Sequence, residues 1–151
     1  MTSGGDCPGL NAAIRAITRR AVYGHGFEVV GIEDAVAGLA QRRVRPLTPS
    51  VLDLNGFDPM LNTGGTILGS INKPIDAVAS EIEAGYSELG LDALIAIGGD
   101  GSLAILQEHA RSGWDLVGIP KTIDNDVALT DRSIGFDSAV RTVAKACSQL
   151  R

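Results

Sequence analysis

Two short glycine-rich segments of the sequence each carry an aspartate and could hold a phosphate group. They are Gly4-Gly5-Asp6 and Gly98-Gly99-Asp100-Gly101-Ser102. Glycines let backbone N–H groups approach phosphate oxygens, and the N-terminus of a following helix adds a favourable dipole. One such turn carries little weight, because turns between a strand and a helix also use glycine for structural reasons. Two turns that each bear an aspartate favour a phosphate site.

Asp100 has two possible roles within the second segment. Its carboxylate is a hard oxygen ligand for Mg²⁺, the ion that accompanies nucleotide phosphates. It could also act as an N-cap for a helix that begins near Leu103. The two roles are compatible with each other.

The segment Thr122-Ile123-Asp124-Asn125-Asp126 contains a dense acidic pair, Asp124 and Asp126. If it is extended, Asp124 and Asp126 point to one side, just beyond the end of a strand, where α/β enzymes keep their sites. Phosphorylation of an alcohol needs a carboxylate to take the hydroxyl proton, and Asp124 is the candidate base. The alternative is an Asx-rich turn, and the residues alone leave both interpretations open.

The elements around these segments predict an α/β protein with a Rossmann-like parallel sheet flanked by helices. Apolar runs alternate with segments of helical period, and glycines separate them, as in successive βαβ units. The predicted elements are a helix from Leu10 to about Tyr23 stopped by Gly24 and Gly26, a β-rich run Phe27–Ile32, a strand Asp92–Ile97, a helix from Leu103 to about Arg111, a strand Leu116–Ile119 and a loop Pro120–Asp126.

Both ends of the sequence are predicted to be interior points of a longer protein. The first glycine-rich loop should follow a strand, yet only Met1 precedes Thr2. At the other end an apolar helical face has no C-cap signal after it, and it comprises Phe136, Val140, Val143, Cys147 and Leu150. We therefore expect residues 1–151 to form one nucleotide-binding and catalytic half, without its first strand and its C-terminal partner. Trp114 and Cys147 are expected in the core.

Composition narrows the class of protein. A chain of 151 residues suits one domain, and a formal charge of −5 without a basic run argues against a nucleic-acid partner. The small cluster Arg42, Arg43 and Arg45 is expected to be a solvated loop.

Two widely separated cysteines indicate a reduced protein rather than a disulfide framework. Since the sequence has neither an apolar run of about 20 residues nor a signal peptide, we expect a cytoplasmic protein without a membrane partner.

Five segments in chain order resemble the motifs of the 6-phosphofructokinase family. They are Thr2–Asn11, Asn62–Thr66 with Leu68–Ser70, Gly98–Ser102, Pro120–Asp126 and Ile134–Phe136. The resemblance extends over the whole chain. It implies a Mg²⁺-dependent glycolytic kinase that transfers a phosphoryl group from ATP to the 1-hydroxyl of fructose 6-phosphate, giving fructose 1,6-bisphosphate and ADP.

The resemblance also implies roles for individual residues. Asp100 would hold Mg²⁺, and Thr122 and Asp124 would bind the sugar phosphate, with Asp124 as the base that deprotonates the 1-hydroxyl. Asp6 and Asp126 match active-site positions that would organise Mg²⁺ and its waters. The residues implied to contact ATP are Gly5, Gly99, Asp100, Gly101 and Ser102.

Two positions bear on the phosphoryl donor. In the family, glycine at Gly101 leaves room for a nucleotide, whereas pyrophosphate-dependent members carry aspartate there; those members share the lysine at Lys121. This mixed combination resembles ATP users, and pyrophosphate remains the alternative. The sequence departs from the family at Asn72 and Lys73, where many bacterial members have an arginine that bridges the phosphates of both substrates, and Lys73 is the cationic residue there. It could supply that charge, although without the bidentate geometry of arginine.

The resemblance further implies that the parent protein is a homo-oligomer, a dimer or tetramer, whose remaining residues clamp the sugar 6-phosphate. Arg15 and Arg19 match arginines that bind an allosteric effector in regulated members, or are simply solvated. We expect this chain alone to lack kinase activity. A nucleotide-binding subunit without catalysis is one alternative; a kinase acting on NAD or lipids is another, and the motif Pro120–Asp126 argues against it.

Overall fold

A computed structural model describes residues 1–48, 50, 59–71 and 79–150 of the chain. Its helices and strands alternate through most of that length. In chain order they are α1 (Leu10–His25), β1 (Val30–Ile32), α2 (Ala35–Gln41), β2 (Val44–Pro46), a 3-10 turn (Pro59–Leu61), α3 (Ala79–Glu88), β3 (Leu94–Gly98), α4 (Asp100–Arg111), β4 (Leu116–Thr122), β5 (Ile134–Gly135) and α5 (Phe136–Gln149).

A parallel sheet with the strand order β3-β4-β5 carries the candidate site. Leu94 pairs with Leu116 at one end of β3, and Gly98 pairs with Pro120 at the other. Residues 1–3 extend along the free side of β3, where Thr2 forms a parallel bridge with Ile97. This sheet, flanked by helices, confirms the predicted α/β fold.

The first strands form a separate antiparallel pair that the alternation of elements did not predict. Val30 pairs with Pro46 and Ile32 with Val44. The helix α2 between them packs against α3, and Gly85 permits this contact: a Cβ there would lie 2.0 Å from the carbonyl oxygen of Leu39. The β-rich run Phe27–Ile32 thus forms a strand only over Val30–Ile32.

Helix α1 follows its sequence signals closely. It begins at Leu10 after Gly9, whose φ of 99° is readily adopted only by glycine. It ends with Gly26 in the left-handed conformation, and the Gly26 N–H bonds back to the carbonyls of Ala21 and Val22. The helix therefore passes through Gly24 and stops at Gly26.

Trp114 lies in the core, as predicted. It is 9% exposed, and its ring stacks on Tyr86 with centroids 4.2 Å apart and on His109 at 4.7 Å. His109 Nδ1 lies 3.2 Å from Glu83 Oε1. These contacts pack α3 and α4 together near the amino end of β4.

The prediction that Cys147 is a core residue is wrong. α5 begins at Phe136 as predicted, but none of its residues is buried, and Val143 is 62% exposed. Cys147 is exposed with them. A helical apolar period shows which side of a helix could be covered, and within the described residues this side is open.

The prediction of a solvated loop at Arg42, Arg43 and Arg45 is wrong for Arg45, which lies within β2, and all three arginines are paired with acids. Arg42 Nε lies 2.8 Å from Glu88 Oε2, and Arg43 Nη1 lies 2.8 Å from Asp34 Oδ2. Arg45 Nε lies 4.0 Å from Glu33 Oε1. The positive charge of the three arginines is therefore balanced by neighbouring carboxylates.

No helix in the described part of the chain has the length and apolar character needed to cross a bilayer.

Candidate functional site

The first glycine-rich loop leaves the edge of the sheet beside β3. Ser3 N–H donates to Ile97 O at 2.9 Å, and Ile97 N–H donates to Met1 O at 3.0 Å. The chain then turns at Gly4, whose φ is 83°. A Cβ at Gly4 would lie 3.0 Å from Ser102 Oγ and 3.2 Å from Lys121 Nζ, so glycine is needed for both conformation and space.

The second glycine-rich loop is shorter than predicted, because α4 begins at Asp100 rather than near Leu103. Gly99 is the N-cap residue, with extended backbone and without a capping side-chain hydrogen bond. The interpretation of Asp100 as an N-cap is therefore wrong. Its exposed carboxylate instead lies in the first helical turn, where the helix dipole favours negative charge.

Hydrogen bonds join the two glycine-rich loops. Ser3 Oγ donates to Ser102 Oγ at 3.1 Å. Gly4 N–H donates to Ile71 O at 3.3 Å, and the Ser70 hydroxyl donates to Gly4 O. The first loop is thus held from α4 on one side and from residues 70–71 on the other.

Lys121 connects the first loop to β4. This strand continues to Thr122, so the prediction that Pro120 starts a loop is wrong; Pro120 and Lys121 pair with Gly98 and Ile134 in the sheet. Lys121 is only 4% exposed, and its ammonium donates to the Gly5 carbonyl. Burial lowers the pKa of Lys121, while the charges of Cys7 and Asp6 act in the opposite direction.

Cys7 is buried beside Lys121 and β5. Its thiol donates to Ile134 O at 3.6 Å. Burial raises the pKa of Cys7, the Lys121 charge partly opposes that rise, and the Asp6 charge adds to it. The backbone of Gly135, whose φ is 106°, packs closely against the thiol, since a Cβ there would lie only 2.8 Å from Cys7 Sγ.

The segment after β4 is a turn, so the extended conformation considered for Thr122–Asp126 is wrong. Asp124 N–H donates to Thr122 Oγ1 at 3.0 Å, and Thr122 Oγ1 donates to Asp126 Oδ1 at 3.1 Å. Asn125 has φ 54°, and its Oδ1 accepts from Ser133 N–H at 2.9 Å. Local polar bonds win over the strand period here, as the Asx-turn alternative supposed.

The turn nevertheless keeps both aspartates available to a ligand. Asp124 and Asp126 are exposed. Thr122 Oγ1 accepts a hydrogen bond from the backbone N–H of Asp124 and donates one to the carboxylate of Asp126. Within the described ranges, the Asp124 carboxylate makes no hydrogen bond or ion pair, so its lone pairs are open to a hydroxyl group.

The structure brings most of the predicted site residues to one edge of the sheet. The carboxyl ends of β3 and β4 are neighbours, and a Cβ at Gly99 would lie 3.5 Å from Lys121 O. Lys73 and Asn72 lie outside the described residues. The predicted residues gathered at this edge are Gly5, Asp6, Gly99, Asp100, Gly101, Ser102, Lys121, Thr122, Asp124 and Asp126.

Across the described ranges, no three His, Cys, Asp or Glu side chains lie close enough together to hold a metal ion by themselves. The aspartates therefore form no ready-made cage. Mg²⁺ does not require such a group, because proteins usually hold it through one or two carboxylates together with phosphate oxygens and water. Asp100, exposed at the start of α4, can supply such a carboxylate.

Sequence reasoning did not single out the residues that hold the loops together. Ser70 and Asn11 lie within quoted motifs, but no role was assigned to either side chain. Ser70 bonds Gly4, and Asn11 bonds the loop that contains Thr63 and Gly64. The available signal was a small polar residue within a glycine-rich segment, which suits a side chain that bonds the backbone.

The chain is similar to known proteins over its whole length. A family model described as phosphofructokinase matches residues 1–151. An ATP-dependent 6-phosphofructokinase of Thermosynechococcus vestitus is 59% identical over 99% of this chain and 41% of its own length. A pyrophosphate–fructose 6-phosphate 1-phosphotransferase of Amycolatopsis methanolica is 43% identical over 100% of this chain and 44% of its own length.

A solved structure shares the fold. The crystal structure of Pichia pastoris phosphofructokinase in the T-state superposes with a TM-score of 0.82 and 29% identity, covering 97% of this chain and 17% of that one. The chain thus spans about two-fifths of the length of the curated relatives it matches.

Proposed function

This chain belongs to the phosphofructokinase family, and we propose that the protein it forms part of transfers a phosphoryl group from ATP to the 1-hydroxyl of fructose 6-phosphate. The products are fructose 1,6-bisphosphate and ADP. The observation that carries the proposal is the convergence of two aspartate-bearing glycine loops and the Thr122–Asp126 turn at one sheet edge.

The residues of this chain divide the work between donor and acceptor. The backbone of Gly5 and of Gly99–Ser102, at the N-terminus of α4, binds the phosphates of ATP. Thr122 and Asp124 bind the sugar phosphate. Asp100 would hold Mg²⁺ when it is bound with ATP, and the ion would supply positive charge to the phosphoryl oxygens.

The proton moves to Asp124. Its carboxylate takes the proton of the 1-hydroxyl while that oxygen attacks the γ-phosphorus, and ADP leaves from the opposite side. Thr122 holds the turn through its bonds to Asp124 N–H and the Asp126 carboxylate. Asp126 and Asp6 would organise the water around a bound Mg²⁺ ion.

ATP is the proposed donor because Gly101 leaves space beside the phosphate loop. A Cβ at Gly101 would meet no atom within 4 Å. Pyrophosphate is the second candidate, since Lys121 supplies a buried cation and a relative with 43% identity is named for that donor. The parent protein is proposed to be a cytoplasmic homo-oligomer.

The proposal is tested with the full-length protein, Mg²⁺ and fructose 6-phosphate. Initial rates are measured with ATP and separately with pyrophosphate, and the product is identified by mass spectrometry. We expect fructose 1,6-bisphosphate with ATP and a much lower kcat/KM with pyrophosphate. Equal or better turnover with pyrophosphate would reverse the donor assignment, and no product with either donor would refute the proposed reaction.

A further inference from the structure

Asn11 is a buried polar residue to which the proposed reaction gives no role. It lies in the first turn of α1, a few residues after the first glycine-rich loop, and is 2% exposed. A buried amide is costly unless its donors and acceptor are satisfied. Its hydrogen bonds therefore show what the residue holds.

Within the described residues, every hydrogen bond of the Asn11 side chain goes to residues 63–67, which we call the return segment. Its Nδ2 donates to Thr63 O at 3.0 Å and to Gly64 O at 3.2 Å. Its Oδ1 accepts from Ile67 N–H at 2.8 Å. The segment has no regular secondary structure, so Asn11 replaces the ladder that a strand would provide.

The continuation of the return segment touches the first glycine-rich loop. Thr2 Oγ1 donates to Gly69 O at 2.6 Å and lies 2.9 Å from Thr66 Oγ1. Ser70 then donates its hydroxyl to Gly4 O, and Ile71 O accepts from Gly4 N–H at 3.3 Å. The same stretch of backbone, residues 63–71, is thus bonded to the Asn11 amide near its start and to Gly4 at its end.

We infer that Asn11 is a positioning residue for the phosphoryl donor: it fixes residues 63–71, which in turn hold the Gly4–Gly5 loop in its phosphate-binding form. The inference rests on the proposed function for the identity of the ligand. The effect is specific to the donor side, because the Thr122–Asp126 turn is fixed separately by the bonds that Ser133 N–H and Oγ donate to Asn125 Oδ1.

The test uses the full-length protein and three substitutions. Asn11→Asp keeps the shape and the acceptor for Ile67 but sets an oxygen against two carbonyl oxygens. Asn11→Ala removes all three bonds and provides a second variant if the first does not fold. Thr18→Val is the matched control: Thr18 is also buried on α1, and among the described residues its hydroxyl has no hydrogen-bond partner.

Two measurements distinguish positioning from a general loss of stability. Amide hydrogen exchange of residues 63–71 is expected to rise by about tenfold or more in the Asn11 variants, as a lost buried bond implies, without a matching rise in β3. The Kd for MgATP is expected to rise about tenfold, with fructose 6-phosphate affinity changing less than about twofold. Thr18→Val should match the wild type.

The outcomes separate the two proposals. Unchanged exchange in residues 63–71, or an equal loss of MgATP and sugar phosphate affinity, overturns the role assigned to Asn11. If the wild type does not phosphorylate fructose 6-phosphate, the proposed function fails, while the exchange comparison still decides whether Asn11 holds the return segment.

Discussion

The ammonium of Lys121 donates a hydrogen bond to the carbonyl oxygen of Gly5, which lies 116 residues earlier in the chain. This bond ties the carboxyl end of β4 to the first glycine-rich loop. It places a cation, 4% exposed, beneath the proposed phosphate site and beside Cys7 and Asp6. The donor side of the site is thus built around a buried charge.

The buried charge predicts a pH dependence of stability. Burial lowers the pKa of Lys121 from its usual 10.5. Between that lowered pKa and 10.5 the unfolded state binds more protons than the folded state, so the folding free energy attributable to Lys121 becomes more favourable as pH rises. We expect the stability of the wild type relative to Lys121→Met to increase with pH in this window.

Urea unfolding at a series of alkaline pH values measures this difference. Lys145→Met, which removes an exposed lysine of α5, corrects for the loss of one lysine from the surface. A relative stability that stays flat or falls as pH approaches 10.5 would contradict the burial of the Lys121 ammonium.

Gly135 should not tolerate a side chain. Its φ is 106°, and a Cβ would lie 2.8 Å from Cys7 Sγ and 3.3 Å from Thr122 O. Gly135→Ala should therefore lower the free energy of unfolding by about 1–3 kcal/mol. Gly64→Ala is the control, since a Cβ there meets nothing within 4 Å. Equal unfolding midpoints for the two variants would refute the predicted clash.

The Cys7 thiol should be unreactive in the native protein. It is buried and its pKa is raised, so little thiolate is available to attack an alkylating reagent. Peptide mapping after iodoacetamide treatment should show alkylation of Cys7 at least about 100-fold slower in the native than in the urea-unfolded protein. Rates within a factor of about three would show that the thiol is accessible.

Gly101 should determine which phosphoryl donor is used without affecting the stability of the fold. The space around it admits a side chain, and an aspartate in the first turn of α4 is favoured by the helix dipole. Gly101→Asp should keep wild-type stability but lower kcat/KM for ATP by about tenfold or more, because its charge repels the phosphates. Gly101→Asn has the same shape without the charge, so its kcat/KM for ATP should fall less. If both variants lost kcat/KM equally, the effect would be steric and the predicted charge repulsion would be refuted.

Local sequence signals predicted the parts of the fold that depend on neighbouring residues. Gly9 and Gly26 bound α1, and the apolar run around Leu94 forms the buried strand β3. The start of α4 was predicted about three residues late, because Gly99 rather than Asp100 caps it. β4 runs on through Pro120 because β3 and β5 supply partners that a local turn signal does not reveal.

The residue types of the candidate site support a prediction of its chemistry, but not of its internal contacts. Two glycine-rich loops and an acidic segment predict a phosphate site from residue type alone. The bonds from Lys121 to Gly5 and from Asn11 to Thr63 depend on how distant segments meet, which the chain topology decides. Cys147 was misplaced for the same reason, since a helical period does not say whether another element covers it.

The most direct test of the account is the turnover number of Asp124→Asn in the full-length protein with saturating MgATP and fructose 6-phosphate. The amide keeps the size of the carboxylate but cannot take the 1-hydroxyl proton, so kcat should fall by about 10²- to 10⁴-fold, as expected for loss of a general base. Asp92→Asn, an exposed aspartate before β3, is the control and should keep wild-type kcat. If Asp124→Asn also kept it, Asp124 would not be the base, and the proposed mechanism would be wrong.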